Sequence, residues 1–190
     1  MIHQLNMQGK DKVQVAIDRL KMFEPPEGYY LAFSGGKDSV VIKALADMAG
    51  VKYDAHYHHT SVEPPELVRF VREHHKDVSI EWSIDKEGKR ITMWNLIPQK
   101  SMPPTRIVRY CCAVLKEKGG TGRFIATGVR WDESVARKNN RGTMEVIHRD
   151  REKRLILQDD NDEARRTFET CKLKGKRVVN PIVEWKTDDV

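Results

Sequence analysis

The sequence predicts an α/β fold: an open, mostly parallel, doubly wound sheet of about five strands with flanking helices. Three observations carry this reading. Short apolar runs bounded by turn residues alternate with stretches of helical spacing along the chain. A Gly-rich turn, Ser34 to Ser39, leads from one such run straight into a helix. The polar motifs that follow fall just after strands, where ligands sit in sheets of this kind.

The elements follow in order. Val13, Ala16, Ile17 and Leu20 recur at helical spacing within residues 10–23, and Pro25, Pro26 and Gly28 stop that helix. Tyr29 to Phe33 (YYLAF) reads as a buried strand. Beyond the Gly-rich turn, Val41, Ala44, Leu45 and Met48 share one helical face, closed by Gly50. Val51 to His58 is a second strand. Pro64 and Pro65 suit a helix start, continued by Leu67, Phe70, Val71 and His74. Val78 to Trp82 is a third strand, and Asp85 to Arg90 a charged loop. Residues 91–118 read as mostly helical, interrupted by Pro98 and by Pro103-Pro104, before a break at Gly119, Gly120 and Gly122. Arg123 to Val129 is a fourth strand, with a short helix from Trp131 to Arg137. Residues 137–154 carry Arg137, Lys138, Arg141, Arg149, Arg151, Lys153 and Arg154, and are expected to be a flexible or ligand-ordered basic segment. Arg177 to Val183 is a fifth strand. Thr187-Asp188-Asp189 has the N-cap and acidic first turn of a helix, and the sequence stops at Val190, so C-terminal truncation is expected.

The 190 residues suit one domain spanning 1–190, with residues 1–26 as a helical lead-in. Hydrophobic residues make up 39% and charged residues 33%, and 34 Lys and Arg against 28 Asp and Glu give a net charge of +6. That mild excess suits a phosphate-bearing partner without demanding a polynucleotide. No apolar run is long enough to span a bilayer, and the N-terminus lacks a signal-peptide core, so no membrane partner is expected. Three cysteines, two of them adjacent, do not make a disulfide scaffold. The expected setting is the reducing cytoplasm.

Ser34-Gly35-Gly36-Lys37-Asp38-Ser39 is the strongest signal. Two glycines let the backbone turn sharply and approach a ligand closely. The turn leaves main-chain N–H groups unpaired at a helix N-terminus, where they and the helix dipole favour an anion. Ser34 and Ser39 add hydroxyls and Lys37 a positive charge, while Asp38 suits holding Mg²⁺ or orienting the loop. The spacing is not that of a Walker A loop. Arg130 and Arg137 follow a strand end and can fork onto phosphate or sulfate, with Glu133 orienting one of them; a salt-bridged surface turn is the plainer alternative.

These motifs resemble a known family. SGGKDS resembles the PP-loop of the ATP pyrophosphatase superfamily, with its adenine nucleotide α-hydrolase-like fold. Thr60 with Pro65-Glu66 resembles a second-strand motif of the branch that contains phosphoadenosine phosphosulfate (PAPS) reductase, with His59 and Ser61 in place of its Asp and Gly. Gly128-Val129-Arg130-Trp131-Asp132-Glu133-Ser134-Val135-Ala136-Arg137 is similar to the branch's Gly-x-Arg-x-x-Glu-Ser-x-x-Arg motif, and Asn180-Pro181 with Trp185 to its late segment. The resemblance implies an adenine nucleotide (PAPS, APS or ATP) held by Ser34, Gly35, Gly36, Lys37, Asp38, Ser39, Thr60, Gly128, Arg130, Glu133, Ser134 and Arg137. Lys37, Asp38 and Arg130 are the expected catalytic residues, backbone groups of the first two strands hold the adenine, and Trp131 is the tryptophan expected to touch a ligand.

Cys111-Cys112 is similar to the adjacent pair that supplies two ligands to a [4Fe–4S] cluster in some members, so both are candidate partial ligands. The remaining thiolates would have to lie beyond residue 190; Cys171 is a possible third, and inert buried cysteines are the alternative. His56, His58, His59, His74 and His75 match no metal-ligand spacing. Three functions are then open. One is sulfonucleotide reduction or related sulfur transfer, with a thioredoxin-like reductant. Another is an ATP-cleaving, Mg²⁺-using adenylating enzyme of tRNA or DNA sulfuration, to which the basic segment offers a backbone contact. The third is a non-catalytic nucleotide-binding module. A homodimer is a further expected partner state.

Overall fold

The structure, a computed structural model, describes residues 9, 11–148, 154–159, 161–172 and 175–190. Its strands are β1 (Tyr29–Ala32), β2 (Tyr53–His59), β3 (Ser79–Trp82), β4 (Phe124–Ala126), β5 (Met144–Ile147), β6 (Leu155–Leu157) and β7 (Lys176–Val179). Its helices are α1 (Lys12–Met22), α2 (Lys37–Ala49), α3 (Pro65–His74), α4 (Met93–Lys100), α5 (Tyr110–Leu115), α6 (Val135–Asn140) and α7 (Asp162–Thr170). The strands form one sheet in the order β3-β2-β1-β4-β7-β5-β6. β3, β2, β1, β4 and β7 run parallel, and β5 lies antiparallel to both β7 and β6. The chain builds outward from β1 to β3, then returns to the other side of β1 at β4. The crevice between the carboxyl ends of β1 and β4 is therefore the switch point where such sheets take ligands.

The pleat sorts the central strands onto two faces. Tyr29 and Leu31 join Phe124, Ala126 and Val179 in the large core, with Ala16, Ile17 and Leu20 of α1 and Ile42 and Leu45 of α2. Tyr30, between them, packs instead with Ile125 and Val178. Gly120 approaches this second face so closely that an added Cβ would lie 2.9 Å from the Tyr30 ring. A polar layer continues it: Tyr30 Oη meets His58 Nε2 at 2.6 Å, and Glu81 takes His56 Nδ1 at 2.6 Å. Burial lowers the His58 pKa, against the opposing pull of Glu81.

The fold departs from the sequence reading in several places. The sheet has seven strands, not five, because the basic segment contributes β5 and the residues just after it contribute β6. Residues 135–140 form α6, and residues 144–147 and 155–157 form the β5–β6 pair, so regular structure runs into and past the basic segment. Residues 149–153 lie outside the described residues. The physical reason is pairing: Met144 and Val146 are buried, and the intervening Glu145 is buried against Arg141 and Asn180. Pro98 does not interrupt α4; the residue one turn earlier, Trp94, is exposed, so its carbonyl can turn to water. The stretch from Trp131 splits into a 3₁₀ turn (Trp131–Glu133) and α6. The last strand ends at Val179, and Thr187–Asp189 makes a 3₁₀ turn.

Asn180 explains the early end of β7. It is fully buried, and its amide nitrogen donates to Gly142 O at 2.8 Å and Glu145 Oε1 at 2.5 Å. Its backbone N–H donates to Thr143 O at 2.8 Å, and Thr127 Oγ1 donates to its side-chain carbonyl. One side chain thus ties the ends of β4 and β7 to the start of β5. Burial raises the Glu145 pKa while Arg141 and Asn180 lower it, with burial prevailing.

Glu145→Ala strips Arg141 and Asn180 of their acceptor and is expected to cost about 2 kcal/mol of stability, read from denaturant midpoints. His58 gives a pH effect. Its folded pKa is depressed, so its contribution is present above the unfolded value and is lost as pH falls through the folded one. The protein is expected to be less stable at pH 5 than at pH 7, with a smaller difference in His58→Gln. The facing groups Glu81, His56, Lys116 and Lys176 remain in both proteins.

Candidate functional site

β1 gives way to α2 through Phe33-Ser34-Gly35-Gly36. The Gly36 carbonyl accepts the amides of Ser39 at 3.0 Å and Val40 at 3.1 Å, and the Ser39 hydroxyl at 2.8 Å. Phe33 N–H donates to His56 O, and Gly36 N–H lies 3.4 Å from Ser34 Oγ. The amides of Ser34, Gly35, Lys37 and Asp38 have no protein acceptor among the described residues. Ser34, Gly36 and Lys37 are exposed while Ser39 is buried beneath them, so the turn opens to solvent.

The two glycines do different work. Gly35 has φ +74°, and a Cβ there would stand 2.6 Å from Leu67 Cδ1 of α3. Gly36 has an ordinary φ of −79° and would meet nothing closer than Ser34 Oγ at 3.5 Å. Its open side faces outward, where a ligand would approach.

The loop after β4 lies on the first turn of α2. A Cβ at Gly128 would come within 2.9 Å of Asp38 O. Arg130, its side chain 4% exposed, donates Nε to Asp38 Oδ1 at 2.9 Å. Its backbone N–H donates to Glu133 Oε2 at 3.1 Å, and Glu133 also pairs with Arg137. Ser134 Oγ caps α6 by accepting Arg137 N–H at 3.2 Å. Burial, then the Arg141 charge, lower the Arg137 pKa, while Asp38 acts against them. Lys37 Nζ donates to Thr187 O at 3.1 Å. Trp131 is half-buried, with Nε1 donating to Arg141 O at 2.8 Å. Ser34–Ser39, Gly128, Arg130, Glu133, Ser134 and Arg137 therefore converge at the carboxyl ends of β1 and β4.

Thr60 is buried at the end of β2, with its N–H donating to Glu63 Oε1 at 2.9 Å and its hydroxyl to the same oxygen at 2.5 Å. Burial pushes the Glu63 pKa up, but these bonds outweigh it and hold the carboxyl below its usual range. Glu63 escaped the sequence reading; its place three residues after a threonine was the available signal. A cavity of about 190 Å³ lies between the ends of β1 and β2, lined by Phe33, Ser34, Tyr57, Glu63 and Lys116 among others. Thr60 itself does not line this cavity; its partner Glu63 does, opposite Ser34.

The cysteines are not equivalent. Cys111 packs against Ile91, Leu96 and Leu115, and burial, then Cys112, raise its pKa. Cys112 Sγ accepts from Arg109 at 3.3 Å. Cys171 packs against the large core instead. The described residues supply no group of three or more His, Cys, Asp or Glu able to hold a metal. They therefore do not fit a Cys₄ cluster within this chain. Asp38, its Oδ1 taken by Arg130, fits orientation of the loop better than a Mg²⁺ site.

No helix of the described residues is long and apolar enough to cross a membrane. No curated protein matches the chain. Residues 28–190, from the start of β1 through the turn at Thr187, match the phosphoadenosine phosphosulfate reductase domain. That span carries every motif at the carboxyl ends of β1 and β4, and the chain belongs to the phosphoadenosine phosphosulfate reductase domain family.

Proposed function

We propose that the chain holds the charged tail of an adenine nucleotide at the carboxyl ends of β1 and β4, and acts in sulfonucleotide reduction or related sulfur-transfer chemistry. One observation supports this above the others: four main-chain amides at the mouth of α2 stand without protein acceptors beside Lys37. Such donors are fixed before a ligand arrives and lose little reorganisation energy when charge develops on a phosphate or sulfate oxygen. Lys37, its Nζ on Thr187 O, adds a positive charge, and Arg137 lies half-buried at the rim beside Glu133. Arg130 and Asp38 work through each other: the guanidinium fixes the carboxylate, and the pair fixes the distance between the two loops. The cavity shared by Ser34 and the end of β2 suits the base.

In this reading the amides and Lys37 stabilise the phosphate left behind as sulfur departs. A thioredoxin-like dithiol supplies both electrons: one thiolate attacks the sulfur as the S–O bond to the phosphate breaks, and the second thiol then displaces sulfite as the reductant's disulfide forms. Sulfite release from PAPS with thioredoxin is the expected reaction. Pyrophosphate release from ATP instead would move the assignment to an adenylating enzyme, and tight binding with neither product to a binding module.

Two variants test the cradle by calorimetric titration with PAPS, APS and ATP. Gly36→Val fills the open side of the turn without an internal clash, so the fold is expected to persist while affinity falls at least about tenfold. Gly35→Ala, strained and pressed on Leu67, is expected to lower the melting temperature instead. Unchanged affinity in Gly36→Val would refute the site assignment. Arg130→Ala is expected to weaken PAPS more than adenosine, and equal losses for both would argue against a role at the charged tail.

A further inference from the structure

We infer that Thr187, held from α1 through the Lys12–Asp189 ion pair, is a positioning residue for Lys37 and Arg130; the inference rests on the proposed nucleotide-tail site. Thr187 does not cap its own 3₁₀ turn, whose N-cap is Lys186. Its polar groups are directed elsewhere. Its N–H and hydroxyl both donate to Asp132 Oδ2, at 2.9 and 2.8 Å, across 55 residues of sequence. Its carbonyl accepts Lys37 Nζ at 3.1 Å, and its hydroxyl oxygen lies 3.5 Å from Arg130 Nη1. One residue thus touches the cation of the Gly-rich turn, the buried guanidinium and the acid two residues beyond it. The hydrogen bonds from Thr187 hold the Asp132 carboxyl below its usual pKa, so it remains a charged anchor.

The turn is fastened from outside the family-matched span. Asp189 Oδ2 accepts Lys12 Nζ at 2.5 Å and the Lys186 N–H at 2.7 Å. Arg19, also on α1 and 6% exposed, donates to Pro181 O at 3.0 Å. α1 is itself fixed by Ala16, Ile17 and Leu20 in the core. A continuous line of contacts therefore runs from α1, through Asp189 and Thr187, to the two cations. Lys side chains lose much rotamer freedom when held, so a carbonyl that parks Lys37 near its working position lowers the entropic cost of engaging an anion.

The test uses the full chain, with inorganic pyrophosphate, ATP and adenosine as calorimetric probes. Thr187→Ala is expected to weaken pyrophosphate and ATP about fivefold and leave adenosine unchanged, while Thr187→Ser stays within about twofold of the parent. Thr187→Ala binding like the parent, Thr187→Ser losing as much as Thr187→Ala, or adenosine falling in parallel each overturns the inference. A second readout needs no ligand: acetylation of Lys37, followed by mass spectrometry on the free protein. Its rate is expected to rise severalfold in Thr187→Ala and in the remote Lys12→Gln; equal rates in all three proteins overturn the inference. If the parent binds none of the probes while the labelling rates still shift, the nucleotide site fails and the positioning role stands.

Discussion

The arrangement at the carboxyl ends of β1 and β4 depends on the ion pair between Asp38 and Arg130. The two residues are 92 apart in sequence, and they join the first turn of α2 to the loop after β4. The guanidinium is 4% exposed and the carboxylate 24%, so desolvation of the arginine offsets part of the attraction and the net gain in stability from the pair is small. Its value is geometric. The guanidinium is planar and its donors are fixed, so satisfying Asp38 through Nε also aims Nη1 at the turn around Thr187. Gly128 permits this by bringing backbone against backbone at the same spot. The open amides of Ser34, Gly35, Lys37 and Asp38 keep their directions because the loop on either side is held.

Much of this was legible in the sequence. Apolar runs such as YYLAF and RFIATGV mark strands that other strands enclose on both sides, and Gly-Gly before Lys-Asp-Ser marks the turn between β1 and α2. These signals survive because burial and backbone conformation act on single residues or near neighbours. Pairing across long separations left no such trace. Glu145 carried no signal of its own within the basic stretch, yet it sits in β5 as the acceptor for Asn180 and Arg141. Arg130 reads as a free cation ready for a ligand, and its partner was itself another candidate site residue. Composition reports the charge on a side chain but not where that charge is neutralised.

The histidines show the same limit. His56 and His58 alternate on β2 and read equally well as pocket-lining or solvated residues. The structure gives them a shared acid, Glu81, on the adjacent strand, and stacks His56 on Tyr30 with ring centres 4.1 Å apart. The Gly119-Gly120 break, legible only as an interruption, is what lets the chain close over that layer. A side chain at Gly119 would collide with His58 and Tyr30. Glycine here serves packing between layers, whereas at Gly35 it serves both the conformation of the turn and its fit against α3.

The sheet finishes on β6, three residues long and bonded only to β5. An unpaired strand border is a template on which another polypeptide can deposit, and its danger grows with length. Three residues, preceded by Arg154 and followed by Gln158 and Asp159, offer too short and too polar a ledge for stacking to propagate. The β5–β6 hairpin therefore also covers the flank of β7, whose Val178 and Val179 are buried, with a border on which self-association gains little.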